Sequence, residues 1–458
     1  MGVTKNEIPI VLNYPMKEYW FKTLCYYFVI VFVLTLLPAI VNAEDGSIIS
    51  LEDAYRLAFQ SHENILGAGI DIDKSALVSK KALSLLSPNI SISGDYSRPK
   101  NAILFDSSAV IPKEKWTETV TVTQQLYNPR LLPAYRLGRH SMDASKENYM
   151  LTVRDVLFEV ARVYYSVLKN EEFTTIAKDS IFLAQEELKV AQEKYHAGEV
   201  PRTDVLRAEV EVSRAERQLV EAENTLLSSK ALLSAMIGIK TKGDYSLKKP
   251  AGVNMAIERP EGLIGIAIEH RNDLKEGLIN IDIAKDNEKL TLAEFQPELK
   301  LEWSDYWVDP ETFSQRSDLW MMTVSVSMPI FEGGLRSIKL KEKKMETKQS
   351  HLKYERLKKD IETEVKNSCY EAQTLKSVLA ALTKEVELAR QTLEITRERY
   401  SNGQSSSIDL MDALNGFNSA RVELSAKSYE YQLALLDLQR VTGIFAEEYI
   451  TFSKRGVQ

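Results

Sequence analysis

Residues 400–413 read YSNGQSSSIDLMDA, and residues 195–208, lying 205 positions upstream, read YHAGEVPRTDVLRA. At that one offset Tyr195 matches Tyr400, Gly198 matches Gly403, Asp204 matches Asp409 and Ala208 matches Ala413. The chain is a duplication. Each copy joins two long stretches of helical period, and a glycine that ends one helix, followed by Ser or Thr and Asp that begin the next, is hairpin-tip chemistry. Tips are expected over residues 197–204 and 402–409, turning at Gly198 and Gly403.

Past each tip the apolar positions step by three and four: Val205, Ala208, Val212, Ala215, Leu219, Ala222 and Leu226, then Leu410, Ala413, Phe417, Ala420 and Leu424. Ala184, Leu188, Ala191 and Tyr195 supply the facing stripe on the ascending helix. These stripes read as coiled-coil packing, not as a cofactor site. Between residues 130 and 196 the only proline is Pro133, so the ascending helix is predicted to be a rod of about 100 Å. The return helices are predicted to end at Gly238 and Gly443.

Upstream, a helical pattern runs from Ser50 to Leu86 and stops at Pro88; its counterpart runs from Pro260 to Phe295 and stops at Pro297. After each proline the period becomes two, with Ile90, Ile92 and Tyr96 in one copy and Leu299, Leu301, Trp303 and Trp307 in the other. Strands are predicted over about 88–98 and 297–308. Polar loops follow at Arg98–Lys115 and Asp309–Ser317, and second strands at about 116–127 and 318–331. In these, Trp116, Val120, Val122 and Leu126 alternate with Thr117, Thr119, Thr121 and Thr123, while Trp320, Met322, Val324, Val326, Met328 and Ile330 alternate with Met321, Thr323, Ser325 and Ser327. A sheet packed on one side in a soluble protein alternates in the same way. Four of the five tryptophans, Trp116, Trp303, Trp307 and Trp320, fall in these segments, mostly near the loop ends, which favours an aromatic girdle at a bilayer interface.

Lys17 and Lys22 precede an apolar run from Leu24 to Ile40 that ends in Val41-Asn42-Ala43 before Glu44 and Asp45. Residues 1–43 are therefore expected to be a secretory signal cleaved after Ala43, with either Met1 or Met16 as the start. The competing reading is a retained membrane helix, for which 17 apolar residues are barely enough. Of the two cysteines, Cys25 and Cys369, the first lies in that segment, so no disulfide is expected in the mature chain. A formal net charge of −7 offers no basic surface for nucleic acid. The five histidines have no metal-ligand spacing, and no phosphate loop, nucleophile elbow or paired-carboxylate cleft stands out. Neither catalysis nor a cofactor or metal is expected.

The expected organisation is a first repeat over 44–240, a connector over 241–259, a second repeat over 260–443 and a tail over 444–458. The fold class is mainly α with a small β part. Four strands cannot close a barrel, and an open sheet in lipid leaves its edge amides without partners. Three chains would give a 12-stranded transmembrane β-barrel with a lumen, continuous with a trimeric α-helical barrel made of the long hairpins. The loops would face outward, and the tips would lie at the far end of the rods in the periplasm.

The duplicated helix–strand–strand–helix order, LEDAYRLA at 51–58 with Pro88-Asn89-Ile90 downstream, and the tip motif Tyr-x-x-Gly followed by IDLMDA at 408–413 resemble the outer-membrane efflux protein (TolC) family over essentially the whole mature chain. The resemblance implies a trimeric channel-tunnel in the outer membrane that docks with a periplasmic adaptor and an inner-membrane transporter to export drugs, metals or proteins. It implies that Asp409 and Asp412 ring a closed periplasmic entrance and that Tyr400 packs the gate. It further implies that Thr203 and Asp204 receive links from an arginine on the second tip, where this chain has Ser405. The rival reading, a periplasmic adaptor-like coiled-coil protein, predicts one hairpin flanked by small β-domains in place of two halves interrupted by strands.

Overall fold

The computed structural model describes residues 48–101, 103–105, 108–239, 245–253, 255, 259–311 and 319–445. The signal expected over 1–43 lies outside these residues, as does the tail after Phe445. The first half comprises β1 (Ile48–Ile49), α1 (Leu51–Ser61), α2 (Glu63–Ser84), β2 (Asn89–Ser97), β3 (Ile103–Phe105), β4 (Ser108–Ile111), β5 (Lys115–Tyr127), α3 (Leu131–His196) and α4 (Arg202–Met236). The second comprises β6 (Ser246–Leu247), α5 (Pro260–His270), α6 (Asn272–Ala293), β7 (Glu298–Asp309), β8 (Leu319–Ser327), α7 (Leu335–Ser401) and α8 (Ser407–Val441).

Several elements differ from the sequence reading. The helix predicted from Ser50 to Leu86 breaks at His62, whose backbone is extended and whose ring accepts from the Asn64 amide at 3.3 Å. Its counterpart breaks at Arg271, also extended. Periodicity misses the break because Tyr55 and Ala58 before it, and Ile65 and Ile72 after it, enter the same core on α3. The stretch read as a polar loop, Arg98–Lys115, carries the β3–β4 ribbon, which pairs Ile103 with Ile111. The last strand stops at Ser327 instead of residue 331, two residues before Pro329, which has no N–H to give a ladder. The connector is anchored: β6 pairs in parallel with β1, Tyr245 and Leu247 are buried, and the Tyr164 hydroxyl lies 2.9 and 2.6 Å from the carbonyl oxygens of Ile49 and Lys248.

The sheet order is β2-β5-β7-β8, antiparallel throughout. Residues paired across strands share a face, and one row of four reads Ile90, Val122, Trp303, Met322. Trp116, Trp307 and Trp320 lie on this same face, opposite Tyr96, Glu118 and Asp305 respectively. The other face carries Thr117, Thr119, Thr121, Thr123, Ser304 and Thr323, with the Thr121 and Ser304 hydroxyls 3.4 Å apart. Trp116, Trp307 and Trp320 sit towards the loop end, whereas Trp303 is at mid-strand. Alternation settles which face a side chain takes, not how deep it lies. Both outer strands, β2 and β8, are exposed along their whole length and pair on one side only.

α3 has 66 residues and α7 has 67, each about 100 Å long, while α4 and α8 have 35 each. Ala177, Ala184 and Ala191 of α3 are buried, as are Ala208 and Ala215 of α4. A seven-residue alanine spacing on both helices lets them run close together. The approach is closer still at Gly138 of α3, where an added Cβ would lie 2.4 Å from the Ser79 amide nitrogen of α2. Because the clash is with backbone, Gly138→Ala is expected to force the helices apart and cost about 1–3 kcal/mol. The check is the thermal midpoint, with Gly67→Ala, where a Cβ meets nothing within 4 Å, as the control. Equal midpoints would refute the close approach.

Candidate functional site at the hairpin tips

At the second tip, α7 ends at Ser401 and the chain turns through Gly403, whose φ of 71° is left-handed backbone open to glycine. α8 starts with a capping box. The Ser406 hydroxyl accepts from the Asp409 amide at 3.2 Å, and Asp409 Oδ2 accepts from the Ser406 amide (3.0 Å), the Ser406 hydroxyl (2.8 Å) and the Ser405 hydroxyl (3.1 Å). Those bonds, led by the Ser406 backbone amide, hold the Asp409 carboxyl below the usual carboxylate range. Asp409 thus starts a helix. Ser405, standing where the resemblance leads one to expect an arginine, serves the same cap and, among the described residues, forms no hydrogen bond to the first tip. Asp412, one turn further on, is exposed and lines a groove with Ile408 and Met411 of α8 and Leu206 and Val210 of α4.

The first tip is built differently. Gly198 again supplies a positive φ (77°), but α4 begins one residue ahead of Thr203, with Pro201 as its cap and no side-chain capping bond. Thr203 and Asp204 therefore lie inside the first turn and do not start the helix, contrary to the sequence expectation. The fixed φ of proline suits the cap position and pre-empts Thr203. Asp204 accepts from Arg207 at 3.5 Å, and the same guanidinium nitrogen lies 3.4 Å from the Ser407 hydroxyl of the second tip.

Tyr195 and Tyr400, twins in sequence, differ in place. Tyr195 is 42% exposed and Tyr400 only 4%. Tyr400 sits among Leu393, Leu410 and Leu414, with Leu183 and Val190 of α3 packed over them. Its hydroxyl has no hydrogen-bond partner among the described residues, and burial, helped by Asp204 and Glu187, pushes its pKa up. Lys194 Nζ lies 5.3 Å from the Tyr400 ring centroid and donates to the Ser401 carbonyl at 2.9 Å. Further from the tip, Arg397 of α7 bridges Glu186 (2.9 Å) and buried Glu187 (2.8 Å) of α3. Burial pushes the Glu187 carboxyl up, against the pull of Arg397. Arg421 of α8 pairs with Asp179 of α3 at 2.8 Å. Sequence reading missed Lys194, Glu187, Arg397 and Arg421. Their signal is a second stripe on α3, discernible only once a partner helix is known.

Among the described residues there is no group of three or more potential metal ligands, and no helix is long and apolar enough to cross a membrane. The sequence profile described as outer membrane efflux protein matches residues 55–239 and 263–444, one segment in each half. The chain belongs to that family. Proteins similar to it include the outer membrane protein TolC of Vibrio cholerae, 21% identical over 445 residues, covering 92% of this chain and 98% of the relative. The alkaline protease secretion protein AprF of Pseudomonas aeruginosa is 20% identical over 417 residues, covering 88% and 86%. Among solved structures, the CmeC outer membrane channel of Campylobacter jejuni superposes with a TM-score of 0.75 at 17% identity, covering 88% of each chain, and so shares the fold. As a family member, this chain is an outer-membrane protein that extends into the periplasm.

Proposed function

We propose that the protein is the passive exit duct of a tripartite efflux or type I secretion system: a homotrimer whose twelve strands form a barrel in outer-membrane lipid and whose hairpins form a tunnel reaching a periplasmic adaptor and an inner-membrane transporter. The observation that carries this reading is the sheet, with a mainly apolar, tryptophan-bearing face, whose Glu118 and Asp305 lie towards the loop end, opposite a hydroxylated face, and with two unpaired edges. Pairing β8 of one chain with β2 of the next, three times over, satisfies every edge amide and leaves the hydroxylated face lining a lumen. Trp116, Trp303, Trp307 and Trp320 then face lipid. At the other end of the rods the tips converge, Tyr400 packs the closed state, and Asp412 beside the capped Asp409 gives a ring of carboxylates at the entrance.

The test joins mass and conductance. Light scattering of the detergent-solubilised protein is expected to give three chains, and planar bilayers to show single channels blocked by a trivalent cation added from the tip side. The paired change Asp409→Asn and Asp412→Asn is expected to relieve that block while conductance persists. A monomer, or no conductance, overturns the duct; equal block in both proteins removes the carboxylate ring and leaves the aspartates as helix-start residues.

A further inference from the structure

On α3, the residues Asp179, Leu183, Glu187, Val190 and Lys194 recur every three or four positions and form one stripe facing the second hairpin. Charged rungs alternate with apolar ones. Asp179 takes Arg421, Glu187 takes Arg397, and Lys194 takes the Ser401 carbonyl; Leu183 and Val190 fill the steps between by packing on the cluster around Tyr400. The opposite seam of α3, against α4, is lined by buried alanines. Ion pairs also cross between α3 and α4, Lys178 with Glu223 and Lys230 with Glu171, and such pairs repay little beyond their own desolvation on either seam. Glu187, whose carboxyl is raised despite its arginine, shows that desolvation outweighs attraction at that rung.

We infer that Lys194 is the positioning residue that fastens the second tip to the first, from the first hairpin's side of the joint. The inference rests on the proposed gating at the tips. Lys194 closes the seam at its free end, its side chain is 11% exposed, and its ammonium reaches a carbonyl that helix geometry leaves without an intrahelical partner. The same cation covers the ring of Tyr400. Arg207 adds a longer contact to the Ser407 hydroxyl at 3.4 Å. At the tip itself both cations come from the first hairpin, and the groups they meet on the second, the Ser401 carbonyl and the Ser407 hydroxyl, accept.

The experiment is single-channel recording of the full-length protein in planar bilayers, comparing wild type, Lys194→Met, Lys194→Arg and, as control, Lys189→Met on the exposed side of α3. Methionine keeps the stem and removes the donor, so the fraction of time spent in the high-conductance state is expected to rise about tenfold, the size of one charge-assisted hydrogen bond. Lys194→Arg and Lys189→Met are expected to stay at the wild-type value, and the thermal midpoint of Lys194→Met is expected to match wild type because the core lies far from the tip. Wild-type gating in Lys194→Met, equal opening in Lys189→Met, or a lowered midpoint without increased opening overturns the inference. Absence of conductance in every protein, wild type included, overturns instead the channel reading on which it rests.

Discussion

Arginine at Val324 is expected to stop the protein from inserting, whereas arginine one residue earlier, at Thr323, is expected to be tolerated. Val324 is 61% exposed and paired with Leu301 on the tryptophan face; Thr323 is on the opposite face, paired with Glu302, which would welcome a cation. β8, the nine residues from Leu319 to Ser327, runs about 30 Å along the strand, or about 23 Å after barrel tilt, close to an outer-membrane hydrocarbon band. Val324 falls near its centre. An arginine there costs about 2–4 kcal/mol in each chain, which the proposed trimer would incur three times at once. Folding into lipid vesicles, followed by protease protection and heat-dependent gel mobility, reads the outcome. If both variants insert equally, the tryptophan face does not meet lipid.

A second large effect is expected at Arg154, 4% exposed at the meeting of the two halves. One of its nitrogens donates to Asn272 Oδ1 and to the Gly443 carbonyl, both at 2.9 Å, and Asn272 in turn donates to Glu147 at 2.6 Å. The guanidinium thus ties α3 to the start of α6 and to the carbonyl end of α8, where a cation suits the helix dipole. Arg154→Met fills similar space but strands buried acceptors, at a cost of about 3–5 kcal/mol. The contrast is Arg162 on the same helix, 59% exposed and, among the described residues, paired only with Glu159 one turn away, where methionine should cost about 0.5 kcal/mol or less. Thermal midpoints of the solubilised proteins compare them directly. Similar losses for both would mean that the junction at Arg154 is not a structural tie.

Much of this fold was legible in the residues. The shift from a period of 3.6 to a period of 2 at Pro88 and Pro297 marks where helix yields to strand, and the matched glycines at 198 and 403 mark where the rods turn back. What escaped was local or relational. His62 and Arg271 break their helices without a glycine or proline to announce it, and the β3–β4 ribbon hides in a stretch with turn-like flanks. At the tips, Asp409 was legible as a residue suited to a helix start, but the commitment of one oxygen to three donors was not.

Chain order and period by themselves determined the duplication, the long rods, the sheet's two chemically distinct faces and the family, because each follows from spacing along one chain. The tertiary structure alone decided how the halves differ. Tyr195 and Tyr400 occupy matching positions in matching motifs, yet only Tyr400 is buried, because α3 of the first half lies across the second tip while Tyr195 is left exposed. Which cation reaches the second tip is likewise a property of that crossing. Lys194 meets Ser401 across 207 residues of sequence, a distance at which no local pattern carries information.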